Sequence, residues 1–195
     1  MKWYKVDIRE IGEAEYEKWF SVMSEEKQKR VEGFKAIEDK KRTVAGDMLA
    51  RKAVAEWCGI KPENIVFKLG EHGKPYVKDL DVHFNISHSE NLVVCAVADK
   101  PVGIDIERIR PINLSIAKRI CTEKELEYLF GFLPSKTDFK KTDDRQTLLR
   151  FFELWTAKEA FAKCQGKGLK NISLPMQKEV EKHIIDNEYF LSIYK

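Results

Sequence analysis

Val102-Gly103-Ile104-Asp105-Ile106-Glu107 is the stretch from which the rest of the chain can be read. The β-branched Ile104 and Ile106 alternate with Asp105 and Glu107, the two-residue period of a strand with one apolar face. Both carboxylates then share the opposite face. Two like charges held that close each tend to keep a proton unless a cation lies between them. Magnesium would relieve that repulsion, since it takes oxygen ligands and is commonly held by one or two carboxylates together with substrate phosphates. The plainer alternative is a half-buried strand with a solvated charged face, and Asp-x-Glu taken alone favours it.

A second segment changes the balance. Arg150 to Lys163 contains neither Gly nor Pro, and Phe151, Leu154, Trp155, Ala157, Phe161 and Ala162 recur at helical spacing. A helix is expected from Arg150 to Cys164, with Glu159 and Lys163 on one face, where such a pair is often no more than a surface ion pair. The sequel, Cys164-Gln165-Gly166-Lys167-Gly168-Leu169, ends the helix and lets backbone approach a bulky ligand. A third segment, Gly73-Lys74-Pro75 followed by Phe84-Asn85-Ile86-Ser87-His88-Ser89, offers a hydroxyl and an imidazole suited to phosphate.

Composition sets the outer bounds. With 195 residues, 43% of them hydrophobic, the chain can bury one large core or two small ones. A net charge of +3 with acids and bases interspersed gives no nucleic-acid stripe. Cys58, Cys95, Cys121 and Cys164 have no zinc or redox spacing, which fits reduced thiols in a cytoplasm. No signal peptide and no bilayer-spanning run is legible.

Along the chain the reading gives a strand over Met1 to Arg9 and a helix over Asp47 to Trp57 stopped by Gly59. A short strand follows at Asn64 to Lys68, then a turn-rich link at Asn85 to Asn91, and a buried strand at Leu92 to Ala98. Beyond Glu107 it gives helices at Leu114 to Ile120 and Glu123 to Phe130, a polar mobile link at Pro134 to Arg145, the long helix, and one clear strand at Tyr189 to Tyr194. Slight identity between the halves permits an internal repeat without requiring one.

The ordered set Gly73-Lys74-Pro75, Phe84 to Ser89, Gly103 to Glu107 and Trp155-x-x-Lys158-Glu159-x-x-x-Lys163 resembles a 4′-phosphopantetheinyl transferase of the surfactin-synthetase-activating type. The likeness runs from about Met1 to Leu174 and includes Ser24 to Arg30 and Arg42 to Asp47; after Leu174 it thins. It implies an α+β fold of two similar lobes related by a pseudo-twofold, divided at residues 1–102 and 103–195, with coenzyme A in the cleft between them. It implies that Lys27, Arg30, Thr43 and His88 meet the 3′-phosphate and adenosine end, that Gly73, Lys74 and Pro75 line the adenine and ribose, and that Ser87 and Lys163 reach the pyrophosphate. Asp105, Glu107 and Glu159 would hold magnesium, with Lys158 supporting the pocket or the acceptor side.

The implied reaction moves the 4′-phosphopantetheine arm of coenzyme A onto a serine of an apo acyl- or peptidyl-carrier protein, releasing adenosine 3′,5′-bisphosphate. Glu159 is the candidate base, directly or through a metal-bound water, and Lys163 stabilises charge on the phosphates. Ile109 to Thr122 as a segment is the candidate carrier surface, where Ile112, Leu114 and Ile116 could serve as exposed anchors although core packing of a short helix is the better reading for each of them singly, and Leu169 to Pro175 is a second. A cytoplasmic monomer with no nucleic-acid or membrane partner is expected. The rival readings are a non-catalytic coenzyme A or nucleotide-binding module and a shorter housekeeping holo-acyl-carrier-protein synthase.

Overall fold

A computed structural model describes residues 1–70, 73–166 and 179–195, which divide into two compact units, Met1–Val102 and Gly103–Lys195. The Lys167–Gly168–Leu169 sequel and the Leu169 to Pro175 segment lie outside the described residues.

The first unit runs β1 (Lys2–Asp7), α1 (Glu13–Ser21), α2 (Glu25–Glu32), α3 (Ile37–Cys58), β2 (Phe67–Leu69), β3 (Pro75–Val77), β4 (His83–Ser89) and β5 (Leu92–Ala98). Its main sheet is antiparallel in the order β1-β5-β4. The continuous apolar run of β5 makes it the central strand, because both of its faces are buried. Helix α3 lies against it and reaches well N-terminal of the expected Asp47, ending at Gly59 in the left-handed conformation at φ 69°. Residues Val44 to Ala55 of α3 are almost all buried, and Gly46 admits the close packing: a Cβ there would touch Ile86 Cγ2 at 3.4 Å.

The expected link at Asn85 to Asn91 is instead strand β4, paired with β5 from His83↔Ala98 to Ser89↔Leu92. Asn and Ser favour turns by bonding their own backbone, but seven residues of ladder outweigh that local preference. The turn itself is confined to Glu90 and Asn91, with Glu90 at φ 51°. The strand expected at Asn64 to Lys68 begins later: Pro62–Asn64 is a 3-10 turn, as proline at its start favours, and pairing starts at Phe67.

The second unit runs β6 (Gly103–Arg108), β7 (Ile112–Asn113), α4 (Ala117–Ile120), α5 (Glu123–Phe130), β8 (Lys141–Thr142), α6 (Arg145–Gln165), β9 (Val180–Ile185) and β10 (Tyr189–Tyr194). Its sheet, in the order β6-β10-β9, is antiparallel and carries α6 across β6 and β10. Helix α6 starts at Arg145, where Asp144 caps it by accepting the Thr147 N–H at 2.8 Å. The expected link before it contains β8, paired with β7.

Strand β9 was not expected. Its sequence, Val180-Glu181-Lys182-His183-Ile184-Ile185, has no clean alternation. The signal is the turn after it: Asp186 at φ 52° and Asn187 at φ 57° form a left-handed pair that joins β9 to β10. The aromatic core gathers Phe151, Phe152 and Leu154 of α6 with Leu114, Ile120, Leu129 and Phe190. Leu114 is therefore buried, and Ile112 and Ile116 pack against the same core. The three pack into the core as the better of the two readings has it, because short elements must bury their few apolar side chains to hold their place. Among the residues the segment presents to solvent are Arg110, Lys118 and Arg119.

Candidate active site

In the second unit Asp105 lies in the middle of β6, opposite Ser192 of β10, and is 4% exposed. Lys163 of α6 donates from Nζ to Asp105 Oδ1 at 2.6 Å. Glu159, one helical turn earlier, is 9% exposed. Burial pushes its carboxyl up to about 7, Asp105 and Glu107 add to that rise by repulsion, and Lys163 opposes it. Glu107 is half-buried, with Arg110 Nη1 at 3.5 Å from its carboxylate. Asp105, Glu107 and Lys163 thus all act electrostatically on Glu159. Neither the solvated strand face nor the surface ion pair describes them.

Gly103 is what permits this. A Cβ added there would stand 1.9 Å from the carbonyl oxygen of Ala160 and 2.5 Å from the backbone nitrogen of Cys164, so α6 rests directly on the strand. Ala160 follows Glu159, and Cys164 follows Lys163. The contact that sets the helix-to-strand distance therefore also brings both side chains to Asp105, two residues along from Gly103. No group of three His, Cys, Asp or Glu among the described residues is spaced to hold a metal ion, and the Lys163 ammonium rests on Asp105.

Lys158 faces elsewhere. Its Nζ donates to Glu125 Oε2 at 2.9 Å in a buried pair, and the same oxygen accepts the Thr122 N–H at 2.7 Å in a capping box. It ties α5 to α6. A hydroxyl pair, Thr156 and Ser192 at 2.7 Å, joins α6 to β10 in the dry interior.

The first unit holds a cavity of about 610 Å³ whose lining includes Lys27, Arg30, Arg51, Phe67, Lys68 and Pro75. Lys27 and Arg30 are three apart on α2 and so project together. Ser24 caps that helix, accepting the Lys27 N–H at 3.4 Å. Pro75 opens β3, and Lys74 beside it donates from Nζ to the Val102 carbonyl at 3.2 Å. Gly73, at φ 75°, takes a backbone shape that side chains resist, and its N–H donates to the Gly70 carbonyl at 2.9 Å.

Ser87 and His88 are successive in β4 and so point to opposite faces. Ser87 is buried and His88 exposed, on the face of Phe84 and Ile86 against which α3 packs. Arg42 of α3 donates to the Glu90 carbonyl at 2.9 Å while Gly46 meets Ile86, which sets Thr43 on the stretch of helix passing His88. The Thr43 hydroxyl is itself held by the Asp39 carbonyl at 2.9 Å.

Asp47 and Arg51 belong to none of the four motifs in the sequence. Four residues apart in a helix that is otherwise Ala, Val, Leu and Met at those depths, they were a charged pair on a buried stripe, and that was the available signal.

Comparison with known proteins adds two family matches. Residues 11–100 match a model described as 4′-phosphopantetheinyl transferase, N-terminal, and residues 101–190 one described as 4′-phosphopantetheinyl transferase superfamily. A 4′-phosphopantetheinyl transferase of Bacillus subtilis is 42% identical over 90% of this chain and 74% of its own length. The 4′-phosphopantetheinyl transferase Sfp of Bacillus subtilis (strain 168) is 40% identical over the same shares. The 4′-phosphopantetheinyl transferase gsp of Aneurinibacillus migulanus is 42% identical over 76% of this chain and 58% of its own.

Proposed function

This chain belongs to the 4′-phosphopantetheinyl transferase family, and on that premise we propose that it moves the 4′-phosphopantetheine arm of coenzyme A onto a serine of an apo carrier protein, with adenosine 3′,5′-bisphosphate as leaving group. The observation that carries the reading is the Asp105, Glu107, Glu159 and Lys163 cluster, pinned by Gly103.

A serine hydroxyl is a weak nucleophile near neutral pH and needs a base in hydrogen-bond reach. Glu159 suits that task, because a carboxyl raised to about 7 exchanges its proton near the working pH. In the proposed mechanism Glu159 takes the serine proton as oxygen attacks phosphorus, and Lys163 meets the charge that builds on the phosphate oxygens. Fixed positive charge aimed at those oxygens lowers the barrier because it needs no reorganisation as the bond breaks.

The donor types suit magnesium, although with Lys163 on Asp105 the three carboxylates are not spaced around one ion as they stand. Three carboxylates offer hard oxygen ligands, and the repulsion from Asp105 and Glu107 that adds to the burial-driven rise of Glu159 is a cost a dication would remove. Asp105, Glu107 and Glu159 would hold the ion. When bound, it supplies further positive charge to the diphosphate.

On this reading Lys27, Arg30, Thr43 and His88 serve the 3′-phosphate and adenosine, Gly73, Lys74 and Pro75 the adenine and ribose, and Ser87 the pyrophosphate. Lys118 and Arg119, exposed within Ile109 to Thr122, would attract an acidic carrier. No helix among the described residues is long and apolar enough to cross a membrane. The four cysteines form no disulfide, which supports a cytoplasmic setting, and we take the protein as a monomer.

The test is to incubate the protein with coenzyme A, magnesium and a panel of apo carrier domains, and to weigh each carrier by mass spectrometry with and without chelator. Gain of the phosphopantetheine mass on a carrier, lost on chelation, is the expected result. No gain on any carrier would overturn the reading.

A further inference from the structure

Lys27 does not stand alone at the edge of the first-unit cavity. Its Nζ donates to Asp47 Oδ2 at 2.5 Å, and the other oxygen of Asp47, Oδ1, accepts from Arg51 Nε. Arg51 in turn donates from Nη1 to the Ile65 carbonyl at 2.5 Å, and its guanidinium lies 5.1 Å from the centre of the Phe67 ring. The side chains of Asp47 and Arg51 are 1% and 5% exposed, whereas that of Lys27 is 32% exposed. A buried, doubly anchored carboxylate therefore grips the tip of a lysine that still looks into the cavity. Lys27 Nζ is also 5.6 Å from the Phe67 ring, so ring and carboxylate fix it from two sides.

A simple helix-locking role would account for Asp47 and Arg51, which are one turn apart on α3. It leaves Lys27 unexplained, since that side chain crosses from α2 to reach an oxygen that Arg51 does not use. A lysine stem has several free rotors, and fixing them when a ligand arrives costs affinity that prior fixation saves. Charge points the same way. Lys27, Arg30, Arg51 and Lys68 line one cavity with only Glu26, Glu63 and Asp47 as acids among its described lining residues, and the almost fully buried Asp47 is the one that takes the Lys27 tip and offsets part of the cations' repulsion.

We propose that Asp47, held by Arg51, is a positioning residue for coenzyme A: it aims Lys27 at the 3′-phosphate and so sets the preference for coenzyme A over 3′-dephospho-coenzyme A. This rests on the reading above in which Lys27 meets that phosphate. The buried pair acts through Lys27 and touches neither the reacting phosphorus nor the carrier.

The experiment compares KM and kcat for coenzyme A and 3′-dephospho-coenzyme A in the full chain and its Lys27→Met, Asp47→Asn and Arg51→Lys variants, each checked for fold by circular dichroism. Asp47→Asn is expected to raise KM for coenzyme A by about tenfold, one hydrogen-bonded charge contact, with kcat unchanged and KM for the dephospho form unmoved. Arg51→Lys keeps the charge beside Asp47 but lacks the fork, and is expected to shift the preference in the same direction by less. If Asp47→Asn does not fold, Arg51→Lys carries the test by the same ratio. A Lys27→Met variant that loses the preference while the folded Asp47 and Arg51 variants keep it overturns the inference and leaves the coenzyme reading standing. A Lys27→Met variant with unchanged preference overturns the inference together with the placement of Lys27 at the 3′-phosphate.

Discussion

The two units share a plan and differ in what they do with it. Each lays a long helix on a three-stranded antiparallel sheet in which the first strand pairs with the last, and the last with its hairpin partner: β1-β5-β4 under α3, β6-β10-β9 with α6. Each helix stops at a left-handed glycine, Gly59 or Gly166. In the first unit the close approach is made by a glycine on the helix, Gly46, and the neighbouring polar groups collect cations around a cavity. In the second the glycine is on the strand, Gly103, and the helix brings acids together. One plan thus carries a cation-rich cavity in the first unit and a cluster of acids around Lys163 in the second, according to which residues stand at the helix-to-sheet contact.

The largest effect expected is chemical. Asp105→Ala and Glu159→Gln should each lower carrier modification by about two to three decades or more with the fold kept, measured by carrier mass and circular dichroism. Near-normal turnover in either would remove the second unit from the chemistry.

The two glycines offer a sharper contrast. Gly103→Ala drives a methyl into the α6 backbone and should destabilise by about 3 kcal/mol, read from urea melts. Gly46→Ala meets only the Ile86 methyl at 3.4 Å while gaining helix propensity, so it should change stability by less than about 1 kcal/mol. Equal losses would mean that the two helices are held in the same way.

Titration separates the units further. Glu159 in the fold binds its proton up to about 7, whereas an unfolded glutamate releases it near 4.5. Between those values the unfolded state holds fewer protons, so metal-free stability should fall as pH rises through that window and level off above it. Glu159→Gln should flatten that part of the melting-temperature profile, and magnesium should stabilise the wild type more at pH 8 than at pH 5. The smallest effect expected is from Thr156→Val, which leaves the Ser192 hydroxyl short of one partner in a dry site and should cost about 1 kcal/mol in the same melts.

Much of this was readable in the chain. The strand at Gly103 to Glu107 and the helix through Glu159 follow from periods of two and of nearly four, which local sterics enforce. The β4 ladder was hidden because Asn85, Ser87 and Ser89 are turn-formers, and their strand exists only through its seven-residue pairing with β5. Strand β9 was hidden because its own pattern is mixed and its register comes from Asp186 and Asn187.

The sequence by itself determined the α+β class, the four motifs and the family, since these rest on local periodicity and on residue types in order. Only the tertiary structure decided which charges meet: Lys163 with Asp105 across 58 positions, Lys158 with Glu125 across 33, Lys27 with Asp47 across 20. Coulomb energy depends on distance in space and on the surrounding dielectric, and neither is set until helices pack on sheets and water is excluded.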